Sequence, residues 1–281
     1  MKQLIVIGDP IDHSLTPTMY NAAFKHLGLD NRFHCTKLRV KTNDLANFVK
    51  DIKNGKIHSA NVTIPHKEKI IPHLDQLTDE ARTIKAVNVV FRKNGCLIGH
   101  NTDCIGLLRS LFGNGTSIKN KKIVILGAGG VAKAAAYALS INFARKIVII
   151  NRTISKAENL SDQIKKRKNT NVKARALNAL RLELKDADIL INCTSVGMKG
   201  YLEDESLVPI EFLNPKLIVM DMVYHPLKTK LISDAEKIGA KTIDGSKMLL
   251  HQGVVAFELI VGTKAPVETM EKALLGVLKS N

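Results

Sequence analysis

Ile123-Val124-Ile125-Leu126-Gly127-Ala128-Gly129-Gly130-Val131-Ala132 decides the fold class of this chain. A short, wholly apolar run stops at a glycine, and alanine-rich sequence continues to Leu139. The pattern predicts a buried parallel strand, a tight turn and a helix. The glycines stand where a dinucleotide fingerprint needs them: Gly127 for the turn, Gly129 for close approach of a pyrophosphate, with Ala132 for helix–strand packing. The helix start would offer free N–H groups and a positive dipole end to phosphate. Glycine-rich strand ends also occur without a nucleotide, so this stretch alone leaves both readings open.

The next apolar run, residues 146–150, ends in Asn151-Arg152-Thr153. In such folds an acidic residue at this point reads the 2′-hydroxyl of the adenine ribose, and a cation suits a 2′-phosphate. Here the residue is Arg152, with Lys156 one helical turn on. The plain alternative is a solvated pair of cations. The position favours NADP over NAD.

A chain of 281 residues with 45% apolar residues can fill two cores. No stretch is apolar and long enough to span a bilayer. The apolar start stops at Gly8-Asp9-Pro10, so it reads as a first strand and the protein as cytoplasmic. Cys35, Cys96, Cys104 and Cys193 lack C-x-x-C spacing and suggest neither a metal site nor a disulfide framework. A net charge of +16 invites a nucleic-acid reading. Aromatics are only 4% and Trp is absent, which leaves few stacking platforms for bases. The run Lys165-Lys166-Arg167-Lys168 reads as a solvated helix end, and a basic chain also attracts small anions. The expected partner is a small molecule, with no nucleic acid and no membrane; a homodimer is left open.

Strands and helices alternate along the chain. Residues 4–7, 32–38, 59–63, 87–91 and 96–98 read as strands, the last two joined at Lys93-Asn94-Gly95 by a hairpin turn. Residues 17–27 read as a helix stopped by Gly28, and Thr42 as the cap of a helix burying Leu45, Phe48, Val49 and Ile52. The later part of 74–85 and residues 104–112 read as helices. Strands follow at 187–191, 217–220 and 241–243, with a helix at 229–238. Two helices close the chain: 248–261 around Gln252, and one after Pro266 with Val267, Met270, Leu274, Val277 and Leu278 on one face.

Three polar clusters combine reactive groups with loops. Ser14 and Thr16 can send two hydroxyls to one carboxylate, or serve as helix caps with Thr16 at the N-cap before Pro17. Asn61-Val62-Thr63-Ile64-Pro65-His66-Lys67 ends a strand with an amide, a hydroxyl and an amine. A lysine is usually a surface cation, but one held near a carboxylate can shuttle a proton. Gly99-His100-Asn101-Thr102-Asp103, after Ala86-Val87-Asn88, supplies such a carboxylate, unless Asp103 only caps the next helix.

Taken together these segments resemble the shikimate dehydrogenase family. The resemblance runs over nearly the whole chain: residues 8–21, 61–67, 86–88, 101–103, 127–132, 151–153, 192–198, 221–226 and 245–257. It implies an α/β fold of two domains. A discontinuous substrate-binding domain (1–102 plus 245–281) and a Rossmann-like NADP-binding domain (103–244) would flank a reactive cleft. It implies NADPH-dependent reduction of 3-dehydroshikimate to shikimate, with an NAD-linked quinate/shikimate dehydrogenase as the near alternative. A basic nucleic-acid-binding protein with a vestigial nucleotide fold is the distant one. By resemblance Lys67 and Asp103 are catalytic. Ser14, Thr16, Thr63, Asn88, Asp103, Tyr224 and Gln252 bind substrate. Gly127, Ala128, Gly129, Gly130, Val131, Asn151, Arg152, Thr153, Lys156, Met222 and Gly245 bind cofactor, with Asp79 a less distinctive transfer. Thr16 replaces a frequent serine, and Cys104 a frequent glycine, which bears on the pocket beside Asp103.

Overall fold

The computed structural model describes residues 1–166 and 170–280. Arg167 and Lys168 of the basic run lie outside the described residues. The chain forms two compact units, Met1–Asp103 with Leu250–Ser280, and Cys104–Leu249.

The first unit begins with β1 (Lys2–Gly8), α1 (Thr16–His26), β2 (Phe33–Arg39), α2 (Leu45–Lys53) and β3 (Ser59–Val62). It continues with α3 (His66–Lys69), β4 (Gln76–Leu77), α4 (Asp79–Ile84), β5 (Val89–Lys93) and β6 (Cys96–His100). The sheet order is β2-β1-β3-β5-β6-β4. β1 pairs parallel with β2 and β3, and β5 antiparallel with β3 and β6. The β5–β6 hairpin turns at Asn94 and Gly95, both at positive φ (52° and 80°), as the two-residue turn expected there requires.

On one side of this sheet Leu45, Phe48, Val49 and Ile52 of α2 join Ile7, Ala60 and Val62 in a buried cluster. The helical spacing of those four residues is what places them on one face. Thr42 does not cap this helix. It opens a 3₁₀ turn, Thr42–Asp44, with no side-chain cap bond, and its Oγ1 accepts from Lys69 Nζ at 3.0 Å. Thr16 is no cap either: the N-cap of α1 is Leu15, without a side-chain cap bond, and Thr16 is already helical. Gly28, at φ +65°, follows the end of α1 as expected.

The second unit starts within α5 (Asp103–Gly113) and continues through β7 (Lys122–Leu126), α6 (Gly130–Ile141), β8 (Lys146–Ile150) and α7 (Ile154–Lys165). Next come β9 (Asn171–Arg175), α8 (Leu180–Leu184), β10 (Ile189–Asn192), β11 (Ile218–Asp221), α9 (Lys230–Lys237) and β12 (Lys241–Ile243). The sheet order is β12-β11-β10-β7-β8-β9, parallel throughout. β7 is buried at every position, as a strand covered on both faces must be. Its first residue, Lys122, is tolerated there because Glu183 (2.8 Å) and Asp186 pair with it. The topology reverses between β7 and β10, the point beyond whose strand ends ligands bind in open parallel sheets.

The chain returns through α10 (Gly245–Val261) and α11 (Val267–Ser280). In the first unit Phe257 packs against Tyr20 and Phe24, with ring centroids 5.4 and 5.3 Å apart, and Phe24 stacks on Phe33. Burying each such ring contributes roughly 1.5–3 kcal/mol. On α11, Met270, Leu274 and Leu278 are buried; Val267 is exposed and Val277 half-buried, so the apolar face is narrower than the spacing predicts.

Candidate active site

In the first unit the decisive contact is short and nearly dry. Lys67 Nζ lies 2.6 Å from Asp103 Oδ2, with side-chain exposures of 11% and 2%. The backbone of Lys67 is held from two sides. Val87 N donates to Lys67 O at 2.7 Å, and the preceding His66 donates through Nε2 to Val40 O at 2.6 Å. His66 is thus a buried structural anchor, which places the amine next to it.

Asp103 is fixed as firmly. Its backbone N–H donates to Asn101 Oδ1 (3.0 Å), and Asn101 Nδ2 donates to Ala86 O (3.0 Å). Its Oδ1 accepts from Asn88 Nδ2 at 3.0 Å. Among the described residues no N–H of α5 bonds this carboxylate, so capping does not explain it. A buried ion pair is a poor stabilising device, because desolvation offsets its attraction. An amine held against a carboxylate in this way is an arrangement that suits acid–base chemistry.

Asn88 gathers the rest. Its Nδ2 lies 2.9 Å from Thr102 Oγ1, 3.0 Å from Asp103 Oδ1 and 3.2 Å from Gln252 Oε1, while its Oδ1 accepts from Thr102 N at 2.8 Å. Three acceptors share two N–H bonds, so the contact to Gln252 is the easiest to exchange for a ligand hydroxyl. Lys67, Asn88, Asp103 and Gln252, expected at the site from sequence, form one network. Thr102 belongs to it too and was missed; its place inside the Asn101-Thr102-Asp103 motif was the available signal.

Thr63 leaves its Oγ1 without a protein partner among the described residues, as do the nearly buried Ser14 and Thr16. Gly8 explains how the loop carrying Ser14 begins beside Thr63. A Cβ at Gly8 would sit 2.8 Å from Thr63 Cγ2 and 2.9 Å from Ile64 O. Asp79 stands apart on α4, with its side chain 97% exposed and 3.6 Å from Arg82.

In the second unit Gly127 takes φ +104° at the end of β7, and a Cβ there would meet Cys193 O at 3.2 Å. Gly129, at φ −84°, is the N-cap of α6 and has open space where a Cβ would be. The protein itself therefore has no steric need for glycine at 129, and the turn leaves open space there. Ala128, Gly130 and Val131 carry the backbone across this turn, and the first N–H groups of α6 are free to receive an anion. Asn151 donates from Nδ2 to Thr153 O at 2.9 Å. Arg152 and Lys156 are exposed at the start of α7, whose first turn holds no acidic residue. Neither has a carboxylate partner among the described residues. Cations at the positive end of a helix are unfavourable for the fold alone, which argues for an anionic ligand.

Met222 and Gly245 meet each other: a Cβ at Gly245 would lie 2.7 Å from Met222 O and 2.5 Å from Val223 O. Tyr224 follows on the same loop, half-buried. Cys104 Sγ, expected beside Asp103, donates instead to Ala134 O at 3.2 Å. No group of three or more potential metal ligands occurs among the described residues. No described helix is long and apolar enough to cross a membrane.

Family models match three segments: the shikimate dehydrogenase substrate binding domain over residues 6–90, shikimate/quinate 5-dehydrogenase over 107–220, and the shikimate 5′-dehydrogenase C-terminal domain over 245–275. A shikimate dehydrogenase (NADP⁺) of Alkaliphilus metalliredigens is 42% identical over 273 residues, 96% of this chain and 95% of that one. The chain belongs to the shikimate dehydrogenase family. Among solved structures, a shikimate dehydrogenase in complex with NADP⁺ superposes with a TM-score of 0.91 at 37% identity, covering 99% of this chain and 96% of that one. A shikimate 5-dehydrogenase from Thermus thermophilus, in complex with NADP(H) and shikimate, gives 0.86 at 32% identity, covering 99% and 100%. The two-unit α/β architecture is therefore that of shikimate dehydrogenases.

Proposed function

We infer that this enzyme catalyses the reversible, NADPH-dependent reduction of 3-dehydroshikimate to shikimate, in the route to chorismate and aromatic amino acids. The buried Lys67–Asp103 pair is the observation that carries the reading. Bound NADPH supplies hydride to the ketone carbon. The carbonyl oxygen then takes up the electron pair and needs a proton. The Lys67 ammonium has three N–H bonds and gives one to Asp103; another faces the developing oxyanion and delivers the proton. In the reverse direction the neutral amine takes the proton from the alcohol. Asp103 holds the amine in place and accepts from the same substrate hydroxyl.

Ser14 and Thr16 bind the substrate carboxylate with hydroxyls that no described protein group uses. Thr63, Asn88, Tyr224 and Gln252 take the remaining polar groups of the ring. The amides of Gly127, Ala128, Gly129, Gly130 and Val131 receive the pyrophosphate, and Arg152 and Lys156 the 2′-phosphate. Asn151, Thr153, Met222 and Gly245 complete the cofactor contacts, and Asp79 is carried with them on resemblance alone. The four free cysteines suit a reducing compartment, and the cytoplasm is the proposed location.

Nicotinamide absorbance tests this reading, with shikimate and NADP⁺ set against quinate and NAD⁺. Turnover concentrated in the first pair supports it. Equal turnover of quinate with NAD⁺ overturns the substrate and cofactor assignment. No turnover, with a salt-sensitive gel shift on nucleic acid, overturns the enzyme reading.

A further inference from the structure

In the second unit a buried carboxylate outside the groups assigned above ties together the loops that follow β10 and β11. Asp221 is the last residue of β11 and is fully buried. Its Oδ1 accepts from Asn192 Nδ2 at 2.9 Å and from Val223 N at 3.0 Å, and its Oδ2 accepts from Thr229 Oγ1 at 2.7 Å. Asn192, the last residue of β10, passes the connection on. Its Oδ1 accepts from Thr194 N (3.1 Å) and from Thr194 Oγ1 (2.7 Å). Thr194 Oγ1 in turn accepts from Val196 N at 3.3 Å.

Each branch ends against a residue with a proposed cofactor role. On one side, Cys193 O and Thr194 Cγ2 lie 3.2 and 3.3 Å from where a Cβ of Gly127 would be. On the other, the 222–223 backbone lies against Gly245, within 2.7 Å of a Cβ position there. The backbone bond from Met222 N to Asn192 O (2.9 Å) ties the two loops directly. A carboxylate has four lone-pair sites and no hydrogens, so it suits a point where three donors from separate segments converge. Leaving such donors unpaired in a buried place is costly, so the arrangement is strongly determined.

We propose that Asp221 is a positioning residue for the nucleotide. By fixing Asn192 and the 222–223 turn together, it sets the 193–194 loop against Gly127 and Met222 against Gly245. It touches neither cofactor nor substrate, and the proposal rests on the NADP reading above.

The test is fluorescence titration of the full chain with NADPH, alongside KM for NADP⁺, KM for shikimate and the melting transition. Asp221→Ala should weaken NADPH and raise KM for NADP⁺ by about ten- to a hundredfold, with a smaller rise in KM for shikimate through Tyr224 on the same loop. Asp221→Asn keeps an oxygen for Asn192 and Val223, and its amide can donate to Thr229 Oγ1, so it should recover most of the affinity. A purely structural role would lower the melting temperature of the alanine variant and leave the affinity of its folded fraction intact; that result overturns the proposal. If Asp221→Ala yields no folded protein, Thr194→Val against Thr194→Ser decides. Valine removes the far end of the network and should weaken NADPH, serine should not, and equal wild-type affinity in both overturns the proposal. A wild-type chain that does not bind NADPH would instead overturn the cofactor reading.

Discussion

Arg152 is exposed, has no carboxylate partner among the described residues, and stands at the positive end of a helix, a place that suits an anionic ligand better than it suits the fold. A guanidinium–phosphate bond is worth about 1.5–3 kcal/mol. Arg152→Ala should thus weaken NADPH by roughly ten- to a hundredfold and leave NADH nearly unchanged, measured by titration with each; equal loss for both would assign Arg152 a structural role. At Ser14 and Thr16 the structure removes the competing explanation, since Leu15 is the N-cap of α1 and no side chain caps it. Ser14→Ala and Thr16→Val should each raise KM for shikimate with an unchanged melting temperature. A lost cap would instead cost about 1 kcal/mol of stability at normal KM. The residue scale is also where sequence is least informative. Lys67 alone reads as a surface cation, and its partner is 36 residues away. Only the fold joins them; the residue types suggested a proton shuttle, and resemblance paired these two for it.

The elements were largely legible. β8 and β12 lie where the apolar runs put them, the buried face of α2 follows from helical spacing, and α9 falls within the helix read at 229–238. β9 was not legible: Asn171–Arg175 is an edge strand with Val172 as its one fully buried residue, so it carries no apolar run. α8 is too short to show a period. The cap Thr42 was misread because a hydroxyl before an apolar run is equally a tertiary acceptor, here for Lys69. Two glycines separate packing from binding at this scale. Gly245→Ala drives a Cβ into Val223 O at 2.5 Å, so the melting temperature should fall along with NADPH affinity. Gly129→Ala meets nothing of the protein, so the melting temperature should hold while NADPH affinity falls. Two glycine variants with the same thermal shift would contradict that distinction.

For the molecule as a whole, pH offers one stability test. Burial raises the Asp221 carboxyl from its ordinary 3.8 to about 6, against the hydrogen bonds from Val223, Thr229 and Asn192 that favour its charged form. The folded state then holds this proton at pH values where the unfolded chain has released it. Stability at this site therefore falls as pH rises from the ordinary carboxyl value to about 6, and is level above that. Urea unfolding across that window should show Asp221→Asn gaining on wild type as pH rises; parallel profiles would contradict the buried, high-pKa carboxyl. The larger claim is a division of labour, with acid–base chemistry carried by the first unit and the nucleotide by the second. Lys67→Met tests it most directly, in a full chain shown to be folded by its melting transition. NADPH binding should stay normal and KM for shikimate change modestly, while kcat falls by about 10²- to 10⁴-fold. A folded Lys67→Met enzyme with near-wild-type kcat would contradict that claim.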